Sequence, residues 1–540
     1  MQNYHKHTCY SNVLVTDCAA PYEEYIQRAV ELGHNVISSV EHGYQGNYYV
    51  PYELVQKHNA GLYHKVKLGQ LSEEEYKRKK LKFVFGAEAY WVKDRLAEYS
   101  KIDKKTGEIV PGEYVKDRTN CHIILLAKNE EGRRDINEIL SIASIDGFYG
   151  QPRIDIDLLL KVNPENVMVT TACLKYWIYD DIEEITLKLF DHFGDNFFLE
   201  VQYHNTDIQK QINRRIIDLH NKYGIKIILG CDSHYIYPEQ YKERDNYLEA
   251  RGITYDEDEK GWYMDYPDEP EARRRLKEQA VLNAEEMDEC ISNTDIPLTF
   301  DDIVLDKNIK LPKNYLFNGE WVGEKSQEWR DSTLRNLVYS KWNEIKNTVS
   351  DKRYEEYKQG IEYELNAIIE TKMSDYFLID YELVRIGVAN GGIITKTGRG
   401  SGVSYYINSL LGFSNIDRFI SPVKLYPDRF ISKTRILKTK SLPDLDLNLG
   451  TPEIFADAQI QVMGEGHAYP MISYKPLQVS SAFKLYAKSQ GIDFDVANEI
   501  TSQIKAYEKA LKNAEDDLKD SIDLYDFVDR KYKSYIDESK

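Results

Sequence analysis

The sequence predicts an α/β fold, a β/α sheet or barrel, and three observations predict it. Short apolar runs at 36–40, 83–87, 167–171 and 227–230 are each followed by a metal-capable side chain. Glu41 and His42 follow the first run, Glu88 the second, Cys173 the third, and Asp232 and His234 the fourth. Helical stripes precede the strands: Tyr22, Tyr25, Ile26, Ala29 and Val30 before 36–40, and Ile212, Ile216, Ile217 and Leu219 before 226–229. His5-Lys6-His7 opens the chain, and on an extended segment its two rings share one face, because side chains alternate with period two. In β/α folds chemistry gathers at the C-terminal ends of strands.

Each residue type suits a multinuclear metal site and so a hydrolytic reaction. Neutral imidazole is a common ligand for transition metals, and carboxylates can bridge two ions. Clustered metals activate water and stabilise charge on a phosphoryl group. The alternative is scattered histidines and ordinary strand-end acids. His34, His58, His64, His192, His204 and His220 read that way, as surface residues. Around the strands, 64–82 reads as a charged helical insertion. Segment 93–120 is polar, with a turn at 105–107.

A second constellation lies downstream. Gly398-Arg399-Gly400-Ser401-Gly402 follows Ile393-Ile394-Thr395 and precedes an apolar stretch, which reads as strand, glycine turn, helix. Glycines let backbone N–H groups approach a phosphate, and a helix N-terminus adds favourable partial charge. Alone, such a loop is equally an ordinary turn. Asp444 and Asp446 stand at period two on an apolar strand, where two carboxylates on one face can hold two Mg²⁺ ions for nucleotidyl transfer. In isolation this pair is also compatible with a solvated strand face.

Composition bounds the function. The net charge of −19 argues against strong non-specific nucleic-acid binding by the whole surface, although 429–440 is locally basic. The six cysteines include no C-x-x-C pair, so neither a disulfide framework nor a zinc knuckle is expected, and reduced cytoplasm is the default location. No signal peptide and no membrane-spanning run is expected.

These motifs resemble a known family. Segment 1–240 resembles the PHP domain that begins bacterial and phage C-family replicative DNA polymerases. YHKHTCYSNVLVTD (4–17) is similar to its opening H-x-H with a later Asp, here Asp17. ISSVEHG (37–43) is similar to its T-D-H-G element, with Glu41 for the usual Asp. FVFGAEAYWV (83–92) carries Glu88, and CHIILLAKNEEG (121–132) carries His122 as the expected ligand, although His122 precedes its apolar run. VTTACL (169–174) places Cys173 at a ligand position, and CDSHYIYPEQ (231–240) is similar to the D-x-H-Y element. The resemblance therefore implies metal ligands His5, His7, Asp17, His42, Glu88, His122, Cys173, Asp232 and His234, holding Zn²⁺ or Mn²⁺, and 3′–5′ exonuclease activity. Downstream, 376–402 is similar to the family's Y-F-L-I…G-R-G-S segment and 428–449 to its palm segment ending in P-D-I-D. This implies phosphate binding by Gly400 and Ser401 with Arg399 beside them, Mg²⁺ on Asp444 and Asp446, and DNA phosphate contacts at Arg429 and Arg435. The last two are equally surface salt-bridge partners.

Departures shape the expectation. Asn448 replaces a third acid of the palm motif, and 484–488 replaces an Arg-Asp-x-x-Arg element. The family's later palm Asp and its fingers are not found. The expected organisation is a PHP-type distorted β/α barrel (1–245), a helical connector (246–300), the first part of a nucleotidyltransferase-like palm (301–475) and a helical thumb-like segment (476–540) with a charged helix at 506–519. The expected function is the amino-terminal portion of a replicative DNA polymerase acting on primer-template DNA and dNTPs. A second polypeptide would complete it, with a sliding clamp as a further partner. The alternatives are a stand-alone metal phosphoesterase or exonuclease with a remnant palm, and a non-catalytic assembly module.

Overall fold

The computed structural model describes the chain except residues 14–16, 19, 104, 120, 254–261, 396–397, 472–476, 515–520 and 540. Parts of the helices expected in 246–300 and 506–519 lie outside the described residues. The chain divides into two compact units: one of residues 1–304 with 476–540, the other of 305–475. No helix among the described residues is long and apolar enough to cross a membrane.

The first unit is built on a seven-stranded mixed sheet. Its strands are β1 (Val36–Ser39), β2 (Lys82–Val92), β5 (Cys121–Ala127), β6 (Arg153–Asp155), β7 (Val167–Thr170), β8 (Phe197–Val201) and β9 (Lys226–Leu229); β3 (Glu98–Ile102) and β4 (Ile109–Lys116) form a separate hairpin. The order is β1-β2-β5-β7-β8-β9, with β6 beside β2. β5 runs antiparallel to both β2 and β7, whereas β1–β2 and β7–β8–β9 are parallel. The amino-terminal segment sits between the two edges. Lys6 bridges to Ser233 just past β9, and its Nζ donates to the Ser38 hydroxyl on β1 (2.8 Å).

Period two sorts the strands' side chains. Val84, Ile124, Leu126, Met168, Phe198 and Ile228 pack into one core with Tyr4 and Val36. Glu88, His122 and Glu200 share the parity, and so the sheet face, of their apolar strand-mates. The opposite face of β2 carries Phe83 and Phe85, whose rings meet Tyr52 of the helix Tyr49–Lys67. Of the stripe expected on Tyr22–Leu32, Tyr22, Tyr25, Ile26 and Ala29 are buried; Val30 is exposed, one position beyond the apolar face.

The unit runs past the expected connector boundary because the helix Ala284–Asn293 packs on β9: Asn293 donates to the Ile227 carbonyl (2.8 Å) and Glu289 accepts from the Ile227 amide (3.2 Å). The late helices Val479–Ser489 and Phe494–Asn513 share a core of Phe483, Ile500, Ile504 and Ile536. They belong to this unit too, Gln490 donating to Asn246 (2.9 Å).

The second unit is mostly helical, with one small antiparallel pair, Leu316–Phe317 with Glu320–Trp321. Gln327–Ile345, Asp351–Glu370 and Ser374–Ala389 enclose Trp342, Leu365, Phe377, Tyr405 and Phe430. The strand expected at 443–447 is extended chain without a ladder. Only beyond it do Thr395 N–H and Asn448 C=O (2.8 Å), and Gly450 N–H and Ile393 C=O (2.7 Å), pair the two extended segments around the Ile394–Leu449 bridge. An extended segment becomes a strand only where its backbone groups find a ladder partner, and this pairing is too short to make one. The glycine turn runs into a short 3₁₀ turn, Gly402–Ser404, and the helix Tyr406–Leu410.

Candidate metal centre and nucleotide site

In the first unit nine side chains from seven chain segments form one cluster, all of them buried except the half-buried Cys173. Asp232 Oδ1 lies 3.2 Å from both His5 Nε2 and His7 Nε2. Glu88 is the hub. One carboxylate oxygen meets His122 Nδ1 at 2.7 Å, and the other meets His42 Nδ1 at 2.6 Å and His7 Nε2 at 3.5 Å. Cys173 Sγ is 3.3 Å from His122 Nδ1. Asp17 lies 3.7 Å from His42 Nε2 and 3.3 Å from His234 Nε2. Four overlapping groups bring their donor atoms close enough to share an ion: His5–His7–Asp232, His7–His42–His234, His42–Glu88–His122 and Asp17–Cys18–His234.

The topology explains each placement. His122 precedes its apolar run because β5 is antiparallel, so its start lies at the edge where the parallel strands end; it pairs in register with Tyr90. Glu88 is not at a strand end, as its sequence position suggests. β2 runs on to Val92, and Glu88 sits inside it, bridged to His42 beyond the end of β1. Lys6, between the two histidines, points the other way and is buried against Ser38, where loss of solvent pushes its pKa down to about 7.

The electrostatics suit cations. Burial pushes the Glu88 carboxyl up, but the His122 imidazole, with hydrogen bonds from His122 and His42, outweighs it and holds it well below the usual carboxylate range. His5 does the same for Asp232, and His234 for Asp17. Burial and the neighbouring His42 lower His7 to about 3, leaving it neutral and able to ligate. His42 Nε2 and His122 Nε2 are buried with no hydrogen-bond partner among the described residues. Buried ring nitrogens without partners, facing ionised carboxylates, fit a divalent cation.

Two residues of the site were missed in the sequence, and two histidines were misplaced on the surface. Glu200 on β8 accepts from His5 Nδ1 (2.7 Å) and from Tyr4 Oη (2.7 Å). That contact fixes the His5 tautomer with Nε2 toward the cluster. Its signal was a lone carboxylate in the apolar run Phe197-Phe198-Leu199-Glu200-Val201. Cys18 approaches the cluster beside Asp17. His204, read as a surface histidine, is fully buried, its ring 4.5 Å from that of Trp262; His34 is buried as well, 3.2 Å from the Tyr266 hydroxyl.

In the second unit the glycine loop meets the acids. A Cβ on Gly400, whose φ is +69°, would overlap the Asp446 carboxylate. Arg399 Nη2 is 2.9 Å from Asp446 Oδ1, so its guanidinium pairs with the acid rather than standing apart for phosphate. Ser401 follows directly, its carbonyl accepting from Ser404. Asp444 is exposed and Asp446 half-buried. Tyr376, in the first turn of its helix, pins the acid segment: its hydroxyl donates to the Pro443 carbonyl (3.0 Å) and accepts from the Leu445 amide (3.2 Å). Arg429 and Arg435 are exposed, on the turn Pro427–Arg429 and the helix Lys433–Thr439.

Comparison with known families finds a match for each part of the chain. The family profile of the PHP domain matches residues 3–204, and that of the bacterial DNA polymerase III alpha NTPase domain matches residues 332–539. The chain joins a PHP domain to a DNA polymerase III alpha NTPase domain. The PHP match ends before Asp232 and His234, which the fold brings to the same cluster. The DNA polymerase III subunit alpha of Aquifex aeolicus is 25% identical over 527 residues, covering 93% of this chain and 40% of that protein. That of Borreliella burgdorferi is 26% identical over 542 residues, covering 95% and 41%. The chain thus spans about two fifths of the length of the curated relatives it matches. Both families are metal-dependent in general.

Proposed function

We propose that this chain works in DNA replication as the amino-terminal portion of a DNA polymerase III alpha-type enzyme, and that its buried cluster is a metal-dependent phosphodiesterase acting at a DNA 3′ end. The observation that carries the second statement is the convergence of His5, His7, Asp17, His42, Glu88, His122, Asp232 and His234, with Cys173 beside His122 and unpartnered imidazole nitrogens among them. These nine would hold Zn²⁺ or Mn²⁺. Such ions, when bound, lower the pKa of water and neutralise charge on the phosphoryl group. The chain's own residues do the rest. Glu200 orients His5; Glu88 orients His42 and His122 together; the His234 Nδ1–H, donated to the Asp232 carbonyl (2.8 Å), turns Nε2 toward Asp17.

In the second unit, Gly400 and Ser401 would cradle a dNTP phosphate, and Asp444 with Asp446 would hold Mg²⁺, Arg399 exchanging its carboxylate partner for phosphate. The contact between Gly400 and Asp446 supports this reading, because a phosphate cradle acts only beside the metals that serve the same phosphate. Arg429 and Arg435 would meet the DNA backbone. Residues 1–540 would need a further palm carboxylate and a fingers region, on the same chain or on a companion polypeptide, before they extend a primer; a sliding clamp is a further partner.

The test is metal analysis of purified protein, followed by incubation with single-stranded DNA carrying a 3′ label. We expect bound transition metal and 3′–5′ degradation with Mn²⁺ or Zn²⁺, both lost in the His7→Ala/Asp232→Ala double variant. Metal bound without degradation would leave a structural centre and overturn the nuclease.

A further inference from the structure

Asp17 does not enter the cluster alone. Cys18, the next residue, is fully buried, and its Sγ lies 3.2 Å from Asp17 Oδ1. The Asn12 side chain holds the pair in place: its carbonyl oxygen accepts from the Asp17 amide (3.1 Å) and the Cys18 amide (3.0 Å), and its amide donates to the Cys18 carbonyl. Cys18 Sγ, an Asp17 carboxylate oxygen and a His234 ring nitrogen fall within 4.8 Å of one another, close enough to share one ion. A second observation points into the same spot. His42 Nε2, in a residue 4% exposed, makes no hydrogen bond among the described residues and lies 3.7 Å from Asp17 Oδ1.

We propose that Cys18 is a metal ligand, joining Asp17 and His234 in a thiolate-bearing subsite that selects zinc-type ions over magnesium or manganese. The proposal rests on the reading of the cluster as a metal centre and adds to it a ligand that none of the matched motifs contains. A carboxylate and an imidazole alone accept manganese, zinc and magnesium with little discrimination; a thiolate is soft and shifts the preference toward zinc and cobalt. Three protein donors leave a position open for water or substrate, the donor count of a catalytic rather than a structural zinc site. On binding, the thiol exchanges its proton for the ion and the proton leaves to solvent. The other thiol of the cluster, Cys173, lies 3.3 Å from His122 Nδ1 and is outside the four groups, so Cys18 is the thiol that sits within a three-donor set. With Cys173 as the ligand proposed above, the centre would carry two thiolates.

The experiment loads the full chain with Co²⁺ and records the near-ultraviolet thiolate-to-cobalt absorption together with metal content. Cys18→Ser is compared with Cys18→Ala, which keeps the packing if serine disturbs it. We expect each variant to lose about half of the absorption, and the preference for Zn²⁺ over Mn²⁺ in competition to fall at least about tenfold. Variants that keep the wild-type absorption and the wild-type zinc preference would overturn the proposal while leaving the metal centre standing. Wild-type protein that binds neither cobalt nor zinc would overturn the metal centre and the Cys18 ligand together.

Discussion

Glu200 illustrates how much one side chain can decide. Its carboxylate fills the space that a Cβ on Gly230 would occupy, so the glycine before Cys231-Asp232 is the condition for the carboxylate–histidine contact. Glu200→Gln should weaken metal binding by about 10- to 100-fold, the usual cost of removing the group that orients a ligand. Gly230→Ala should do the same by displacing Glu200, and metal titration of both variants checks it. Glu364 in the second unit makes a different prediction. It is fully buried, accepts from Arg418 Nε (2.6 Å) and the Ile407 amide (2.9 Å), and burial still pushes its pKa up to about 7. The folded pKa lies above the ~4.3 of an unfolded glutamate, so the folded state holds the proton more tightly. Its stabilisation is full below about pH 4.3 and is lost as the pH rises to about 7, by roughly 4 kcal/mol. Glu364→Gln should remove that loss: between pH 5 and pH 8 the variant's urea midpoint should rise relative to wild type.

Single elements carry the placement of whole groups. The antiparallel course of β5 is what lets His122 reach Glu88, although His122 stands on the wrong side of its apolar run for a parallel strand. In the second unit, the helix Ser374–Ala389 reaches the acids through one hydroxyl. Tyr376→Phe removes both bonds to the acid segment, and each such bond is worth about 1 kcal/mol. We expect a lower thermal midpoint for this unit and a several-fold weaker dNTP affinity, read by calorimetry and by fluorescent-nucleotide titration. Gly400→Ala should be more severe for nucleotide than for folding, because its methyl group meets Asp446 and its backbone is left-handed, where alanine is strained. The acid segment itself is a case where pattern reading overshot. Apolar residues alternating with Asp444 and Asp446 read as a strand, yet strand formation needs a neighbour, and the pairing begins only at Asn448.

For the whole molecule, the expected outcome of a primer-extension assay is no efficient synthesis by residues 1–540 alone and synthesis when the portion bearing the remaining palm carboxylate and fingers is present. Positioning and charge stabilisation supply most of phosphoryl-transfer catalysis, and two carboxylates with a loop supply only part of both. Robust extension by these residues alone would mean that another acid completes the site. The sequence by itself determined the local chemistry. Period-two alternation put Glu88 and His122 on the same face as Val84 and Ile124, H-x-H put two rings together, and the glycine loop and paired acids named the second site. These are short-range properties, set by backbone geometry within a few residues. Tertiary structure alone decided that His5 meets Asp232, that Glu200 and Cys18 join them, that the late helices belong with the first unit, and that Gly400 abuts Asp446. Those contacts depend on strand order, strand direction and chain closure, and no local periodicity carries information about which distant segment will supply the partner.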